Sequence, residues 1–348
     1  MTSKIKPAQG APYARIMGVG GYRPTRVVPN EEILKYIDSS DEWIRSRSGI
    51  ATRHWAGPEE TVAAMSVEAA GKAIADAGLT PEQIGGVIVS TVSHFKQTPA
   101  VATEIAHRIG AGKPAAFDIS AGCAGFGYGL TLAKGMVTEG SAEYVLVIGV
   151  ERLSDLTDLE DRATAFLFGD GAGAVVVGPA QEPAIGPTVW GSEGDKSETI
   201  KQTLSWDVYR RTPVPGGDGP GDQLALDEIR YPAITQEGQA VFRWAVFEMA
   251  KVAQEALDVA GVSPEDLDVF IPHQANMRII DSMVKTLKLP ESVTVARDVE
   301  TTGNTSAASI PLAMERLLAT GQAKSGDTAL VIGFGAGLVY AATVVTLP

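Results

Sequence analysis

The chain contains a single cysteine, Cys123, and four histidines, His54, His94, His107 and His273. The thiolate is the nucleophilic form of cysteine, so the surroundings of Cys123 decide whether it can react. It lies in Asp118-Ile119-Ser120-Ala121-Gly122-Cys123-Ala124-Gly125-Phe126, between two apolar stretches. Ala115 to Ile119 reads as a strand, and Ala124 to Thr138 as a helix with Gly140 at its C-cap. At that junction a thiol meets unpaired N–H groups and the positive end of the helix, which favour the thiolate. The competing reading is a small, inert core residue. His273, in Phe270-Ile271-Pro272-His273-Gln274-Ala275-Asn276, follows an apolar strand. Strand ends are where open α/β sheets collect functional groups. Asn304, in Gly303-Asn304-Thr305-Ser306-Ala307-Ala308-Ser309, precedes an apolar helical stretch, Ile310 to Leu318. It reads either as a helix N-cap or as a hydrogen-bond donor.

The elements that must position these residues follow from pattern. The helix after Cys123 has no wide polar face: Phe126, Tyr128, Leu130, Leu132, Met136 and Val137 surround it, and Lys134 is its only charge before Glu139. A helix apolar nearly all round is a buried one. Its glycines, Gly125, Gly127, Gly129 and Gly135, permit close approach of neighbouring backbone. Earlier in the chain, Ala14 to Val19 reads as a strand followed by a turn at Gly20-Gly21. Asn30 reads as the cap of a helix from Glu31 to Ile37, Asp41 to Ile50 as a mixed segment, and Glu59 to Ala77 as a helix.

The chain also repeats itself. Ala73-Ile74-Ala75-Asp76-Ala77-Gly78-Leu79-Thr80-Pro81-Glu82-Gln83-Ile84 matches Ala256-Leu257-Asp258-Val259-Ala260-Gly261-Val262-Ser263-Pro264-Glu265-Asp266-Leu267, an offset of 183 (256 − 73). Leu146-Val147-Ile148-Gly149 returns as Leu330-Val331-Ile332-Gly333, an offset of 184 (330 − 146). Two matches in the same order point to a duplication of an α/β unit with largely buried sheets. The expected organisation is an N-terminal half over 1–190 carrying Cys123, an insertion over 191–235, and a C-terminal half over 236–348 carrying His273 and Asn304. A helix from Glu237 to Ala260 opens the second half. Pro213, Pro215, Gly216, Gly217, Gly219, Pro220 and Gly221 make the insertion a surface loop with local hairpin structure. At offset 183 the counterpart of Cys123 is Ser306, which sets the Asn304 loop at the pseudo-symmetric equivalent of the cysteine turn.

Composition narrows the field. The formal charge of −13 argues against a nucleic-acid partner, and an acidic partner would need a local basic patch. One cysteine leaves no intrachain disulfide and no paired-cysteine metal or redox motif, and fits a reducing cytoplasm. Met1 to Pro12 has lysines but no apolar core, so no signal peptide is expected, and no run is long enough to cross a membrane. Phe168-Gly169-Asp170-Gly171-Ala172-Gly173 and Phe334-Gly335-Ala336-Gly337 are not dinucleotide fingerprints, because strand-like Ala174 to Val177 and Leu338 to Val345 follow them in place of a helix. They read as tight turns offering backbone N–H groups.

Four ordered motifs, Ser-Ala-Gly-Cys123-Ala-Gly-Phe, Pro-His273-Gln-Ala-Asn276, Gly-Asn304-Thr-Ser-Ala-Ala-Ser and Gly-Phe334-Gly-Ala-Gly, resemble the 3-oxoacyl-acyl-carrier-protein synthase III family from about Tyr13 to the C-terminus. The resemblance implies the α/β thiolase fold, with two duplicated halves in αβαβα layers, and a homodimer. It implies acyl-CoA and malonyl-acyl-carrier protein as substrates in type II fatty acid synthesis, with no cofactor and no metal. Cys123, His273 and Asn304 would be catalytic, and the backbone N–H groups of Cys123 and Ala336 would hold the oxyanion. Trp43 and Arg162 would sandwich the adenine of CoA, Arg47 would meet its phosphate and Asn276 its pantetheine. Phe242 would line the acyl pocket, and Arg243, Arg278 and Lys285 would dock the carrier protein.

The inventory separates relatives of this fold. A thiolase needs a second cysteine, and an elongating synthase needs two histidines beyond its cysteine; only His273 lies after Cys123. The chief alternative is a priming ketosynthase of a polyketide pathway, followed by a plant-type polyketide synthase acting on malonyl-CoA. A cysteine hydrolase is disfavoured because no Asp or Glu accompanies His273 in its motif, and a non-catalytic partner subunit because the whole residue set is kept.

Overall fold

The computed structural model describes residues 5, 6, 8–211 and 231–348. The Pro- and Gly-rich part of the expected insertion, Pro213 to Gly221, lies outside the described residues.

Two five-stranded sheets carry the fold. The first uses β1 (Tyr13–Tyr22), β2 (Ile84–Ser90), β3 (Ala115–Ile119), β4 (Tyr144–Arg152) and β5 (Asp170–Ala180) in the order β1-β5-β4-β2-β3. The second uses β6 (Val189–Ser192), β7 (Val269–Pro272), β8 (Thr294–Val295), β9 (Thr328–Gly335) and β10 (Val339–Thr346) in the order β6-β10-β9-β7-β8. Each strand of the second sheet repeats the place and direction of its counterpart in the first. β4 and β2 run parallel, as do β9 and β7, while β5 and β10 run antiparallel to β4 and β9. The register agrees too: Val87 faces Leu146 as Phe270 faces Leu330. The repeated Thr-Pro-Glu-Gln and Ser-Pro-Glu-Asp segments both form capping boxes ahead of β2 and β7. The duplication read from sequence is therefore a duplication of structure.

Strand alternation explains the layers. Val145 and Val147 of β4 point to one side and Leu146, Ile148 and Val150 to the other, as the two-residue period requires. The first side meets α4 (Gly125–Glu139) and α7 (Ser309–Ala319), which lie between the sheets and are packed on both faces by Phe126, Leu130, Ile310 and Met314. The second side meets α2 (Val62–Asp76) and α3 (Val101–Arg108), while the outer face of the other sheet meets α5 (Gly238–Ala260) and α6 (Met277–Thr286). That gives the αβαβα order, and it explains why the helix after Cys123 has no polar face. Gly140 ends that helix in the left-handed conformation, with φ 75°.

Local readings needed correction where tertiary contacts won. Gly20 and Gly21 are inside β1, paired with Ala174 and Gly173, and not a turn. Asn30 does not cap a helix: its side chain donates to Asp41 and the Ile50 carbonyl and accepts from Arg53. The segment from Asp41 is a helix, α1 (Asp41–Ser48), capped by Ser40, whose Oγ accepts from Trp43 N at 3.1 Å. Gly171 to Gly173 lie in β5, so a tight turn there is excluded. β6 spans residue 190 and belongs to the second sheet.

Candidate active site

The 3-10 turns Gly122–Ala124 and Ser306–Ala308 precede α4 and α7, and Gly122 and Ser306 share an unusual backbone, φ 46° and 47°. Gly122 thus corresponds to Ser306 at offset 184 (306 − 122), and Cys123 to Ala307, which corrects the pairing of Cys123 with Ser306. Ser306 holds as a serine the conformation that the first turn gives to glycine.

Cys123, His273, Asn304 and Ala336 converge on one cavity of about 470 Å³, together with Ser306, Phe334 and Gly335. Gly335 makes room for Cys123: a methyl there would come within 2.9 Å of Cys123 Sγ and 3.1 Å of its N. Ala336 N lies 3.3 Å from where a Gly122 Cβ would stand, so the Gly335 to Gly337 turn abuts the cysteine turn. Burial pushes the Cys123 thiol up to about 12, the Ser306 hydroxyl partly offsets this by hydrogen bonding, and the Glu151 charge adds to it. The thiolate that the helix terminus favours is therefore opposed by burial.

His273 is 2 % exposed, and its Nδ1 lies 2.7 Å from Ser309 Oγ. Ser309 Oγ also accepts from Gln274 N at 3.3 Å, and with its own proton directed at Nδ1 the imidazole carries its proton on Nε2. Burial pushes His273 down to about 3 and keeps the ring neutral. Asn304 is anchored by its backbone, which donates to Leu167 O at 2.8 Å and accepts from Gly169 N at 3.0 Å. Its Oδ1 accepts from Ser306 N at 2.8 Å, so Nδ2 is the end left to donate to a ligand. Two neutral donors and a thiol therefore meet in one cavity.

The remaining expected residues fall outside this lining. Trp43 of α1 stands edge-on to Phe166 at 5.5 Å, with the guanidinium of Arg162 5.1 Å and that of Arg47 5.9 Å from its ring. The Arg162 guanidinium lies directly over the Trp43 ring. Asn276 caps α6 by accepting from Arg278 N at 2.9 Å, and it donates to Arg47 O. Phe242 does not line the cavity: it packs beneath the Arg278 guanidinium at 5.0 Å, while Val241 and Trp244 of the same helix face inward. Arg243, Arg278 and Lys285 are exposed on α5 and α6.

Sequence reasoning set Ser306 beside the cysteine turn without a contact to assign it, and it missed Ser309, which orients His273, and the buried acid Glu151. The signal for the last was a charge ending the apolar run Val145 to Val150. Among the described residues, no group of His, Cys, Asp and Glu is placed to hold a metal ion, and no helix is long and apolar enough to cross a membrane.

Comparison with known proteins places this geometry. Residues 117–194 match the 3-oxoacyl-[acyl-carrier-protein] synthase III model and residues 257–347 its C-terminal model. A curated β-ketoacyl-[acyl-carrier-protein] synthase III 1 of Streptomyces coelicolor is 83% identical, covering 99% of this chain and 100% of its own. The crystal structure of the priming β-ketosynthase from the R1128 polyketide biosynthetic pathway superposes with a TM-score of 0.93 at 44% identity, covering 99% of each chain. That of the 3-oxoacyl-[acyl-carrier-protein] synthase III of Aquifex aeolicus gives 0.83 at 37% identity, over 96% of this chain and 99% of that one.

Proposed function

Because the chain belongs to the 3-oxoacyl-[acyl-carrier-protein] synthase III family, and is a condensing acyltransferase of that kind, we propose that Cys123, His273 and Asn304 divide its two half-reactions between them. The observation that carries this division is the convergence of one thiol and two oriented, neutral donors on one cavity.

In the first half-reaction Cys123 attacks an acyl-CoA thioester, keeps the acyl group and releases CoA. The N–H groups of Cys123 and Ala336 stabilise the tetrahedral oxyanion, a contribution on the order of 3 kcal/mol per donor lost. In the second, malonyl-acyl-carrier protein enters and loses carbon dioxide. Decarboxylation itself creates the carbanion, so no base has to remove a proton. His273 Nε2–H and Asn304 Nδ2–H hold the enolate oxygen, and a neutral ring suits a donor better than an acceptor here. The enolate attacks acyl-Cys123 to give 3-oxoacyl-acyl-carrier protein.

CoA binds with its adenine between Trp43 and Arg162, for which Arg162 lifts from the indole to admit the base. Arg47 meets the phosphate. Asn276 reaches the pantetheine through its second amide hydrogen, the first donating to Arg47 O while Oδ1 caps α6. Val241 and Trp244 take the acyl-lining role expected of Phe242. The protein acts without a cofactor in the cytoplasm, as a homodimer. β3 supports a dimer, since it forms one edge of its sheet and stays partly exposed. Fatty acid initiation is favoured by the 83% identity to the S. coelicolor synthase, and the R1128 likeness makes priming of a polyketide pathway the second reading.

Intact-protein mass spectrometry tests this directly. Incubation with acetyl-, butyryl- and isobutyryl-CoA should add one acyl group at Cys123, and a malonyl-carrier-protein chase should remove it. Acyl transfer that leaves Cys123 unmodified would overturn the reading.

A further inference from the structure

His273 and Asn304 stand 31 residues apart (304 − 273), and the backbone ties each to a different sheet. His273 N donates to Ile332 O of β9 at 2.7 Å. Asn304 is paired with Leu167 and Gly169, just ahead of β5 in the first sheet. The chain leaves the second sheet at Ala296, whose N donates to Phe270 O at 2.9 Å. It crosses to Asn304 through the helical turn Val299–Thr302, which Gly303 closes at φ 65° by donating to Val299 O at 3.1 Å. Two donors that must meet one oxygen thus depend on what holds this crossing segment against the histidine loop.

Gln274 spans that gap. It has no exposed surface, and both ends of its amide are engaged. Nε2 donates to Pro272 O at 2.7 Å and to Ala296 O at 3.3 Å, while Oε1 accepts from Val299 N at 3.1 Å. Its backbone N donates to Ser309 Oγ, the atom that also faces His273 Nδ1. One residue therefore holds the peptide before His273, the bend at Ala296, the start of the turn that delivers Asn304, and the hydroxyl behind the imidazole. Burying an amide costs desolvation that its hydrogen bonds only offset, which makes it a poor residue for filling space alone. The fold does not demand it either. β2 and β7 match at offset 183 (270 − 87), and the position equivalent to Gln274 holds Thr91 (274 − 183). The crossing segment has further ties, since Asp298 pairs with Arg23 at 3.3 Å and Arg316 at 2.7 Å, and Ala51 N donates to Glu300 O at 2.7 Å. Loss of the amide therefore alters aim before it undoes the segment.

We propose that Gln274 is a positioning residue for the second half-reaction, setting His273 Nε2–H and Asn304 Nδ2–H at the spacing the enolate oxygen needs. The inference rests on the reading of those two residues as the enolate donors. Gln274 acts through them, from behind the cavity wall that His273 and Ala275 form. Preorganised donors stabilise charge only where they are aimed, and a displacement of about 1 Å costs about 100-fold in rate. Loading of Cys123 does not use the two donors, so a loss of aim falls on decarboxylation.

The test measures decarboxylation of malonyl-carrier protein and loading of Cys123 from acetyl-CoA on wild type, Gln274→Met and Gln274→Glu. Methionine nearly keeps the volume and loses all three side-chain bonds. Decarboxylation should fall about 100-fold, with loading within about threefold of wild type. A merely structural role would lower both steps by the same factor. Gln274→Glu supplies the rescue. At about pH 6 a carboxyl buried among carbonyl groups keeps its proton, so it donates to Pro272 O and still accepts from Val299 N. Two of the three bonds return, and decarboxylation should run about tenfold faster than in Gln274→Met at the same pH. Decarboxylation of Gln274→Met at the wild-type rate, equal losses in both steps, or no recovery in Gln274→Glu would overturn the proposal. Should Gln274→Met fail to fold, Gln274→Glu alone decides, with decarboxylation about tenfold below wild type and loading kept, a wild-type ratio of the two rates being fatal. Decarboxylation indifferent to His273→Ala and Asn304→Ala would sink the donor reading itself, a different result from a wild-type-like Gln274→Met.

Discussion

The turn at Gly122–Ala124 and the turn at Ser306–Ala308 have one backbone and opposite chemistry. The first presents a thiol against a glycine, Gly335; the second presents an alanine, Ala307, and a serine, Ser306, in the place of Gly122. Duplication supplied two copies of a strand-to-helix junction aimed at one cavity. Divergence then left one copy carrying Cys123 and the other carrying Asn304 and Ser306. The lesson is that symmetry of the scaffold places the groups, and asymmetry of a few side chains makes the chemistry.

The largest effect should come from erasing the difference at the first turn. Cys123→Ala makes it match Ala307, and acyl transfer from CoA should become undetectable by mass spectrometry. Decarboxylation of malonyl-carrier protein should persist, because His273 and Asn304 are untouched. Acyl label on the variant would disprove the assignment of the nucleophile.

Next in size are the donors that only the second half supplies. His273→Ala and Asn304→Ala should each slow decarboxylation by about 100- to 1,000-fold, the usual cost of one preorganised donor. Loading of Cys123 should suffer less, since no enolate forms in that step. Single-turnover measurement of each half-reaction checks the split, and equal losses in both would refute it.

A smaller effect concerns the acid that has no counterpart at Gly335. The Glu151 carboxyl is raised from 4.5 to about 7 by burial. A carboxyl with a raised folded pKa keeps its proton when folded and releases it when unfolded, so it destabilises the fold as pH rises from about 4.5 to about 7. The upper bound is roughly 3 kcal/mol, from 1.36 kcal/mol per pKa unit. Glu151→Gln should therefore melt above wild type at pH 8, with most of the gap gone at pH 5. Asp170, raised to about 6, titrates in both proteins and cancels in the difference. Scanning calorimetry at the two pH values decides it: a gap that does not change with pH would mean that Glu151 is not a buried acid titrating in this range.

How much of this was legible depended on whether the determinant was local. The cysteine turn, the histidine loop and the asparagine loop are contiguous segments, so sequence displayed them whole, and the buried central helix announced itself by lacking a polar face. The duplication was legible because helix–turn–strand units kept Ala-Gly and Pro-Glu at fixed offsets. Helix α1 was missed although it has the Ser40 cap, early acids and late arginines of a short helix, because its apolar residues are too few to show a period. Asn30 looks like a cap until Arg53, from the next hairpin strand, engages it. Phe242 misled by one step of helical phase: on α5 a shift of one residue turns a side chain by about 100°, enough to exchange the cavity-facing Val241 for its neighbour. Glu151 was invisible as a buried acid because a charge at the end of an apolar run normally marks where a strand meets water.

The smallest effect is expected from the outer helices. α3 and α6 occupy matching places beside the two halves, yet their charges are arranged differently. On α3, Arg108 pairs with Glu104 at 3.3 Å within one helix face. On α6, Arg278 rests on the Phe242 ring of α5, with Lys285 seven residues on (285 − 278) and Arg243 exposed nearby in sequence to that ring. A face of this kind offers positive charge to an acidic carrier protein, in a molecule whose formal charge of −13 otherwise repels it. Exposed charges of this sort steer encounter and contribute little to the fold. Charge reversal at Arg278 and Lys285 should raise KM for malonyl-carrier protein about tenfold, while loading from acyl-CoA stays within about twofold of wild type; each exposed pair is worth up to about 1 kcal/mol. The same change at Arg108 of α3 should leave both steps alone. Salt shortens the reach of the field to about 3 Å at 1 M, so the penalty at Arg278 and Lys285 should shrink there as wild-type docking weakens as well. A penalty that survives 1 M salt, or one shared by the loading step, would assign these residues to the packing of α5 against α6.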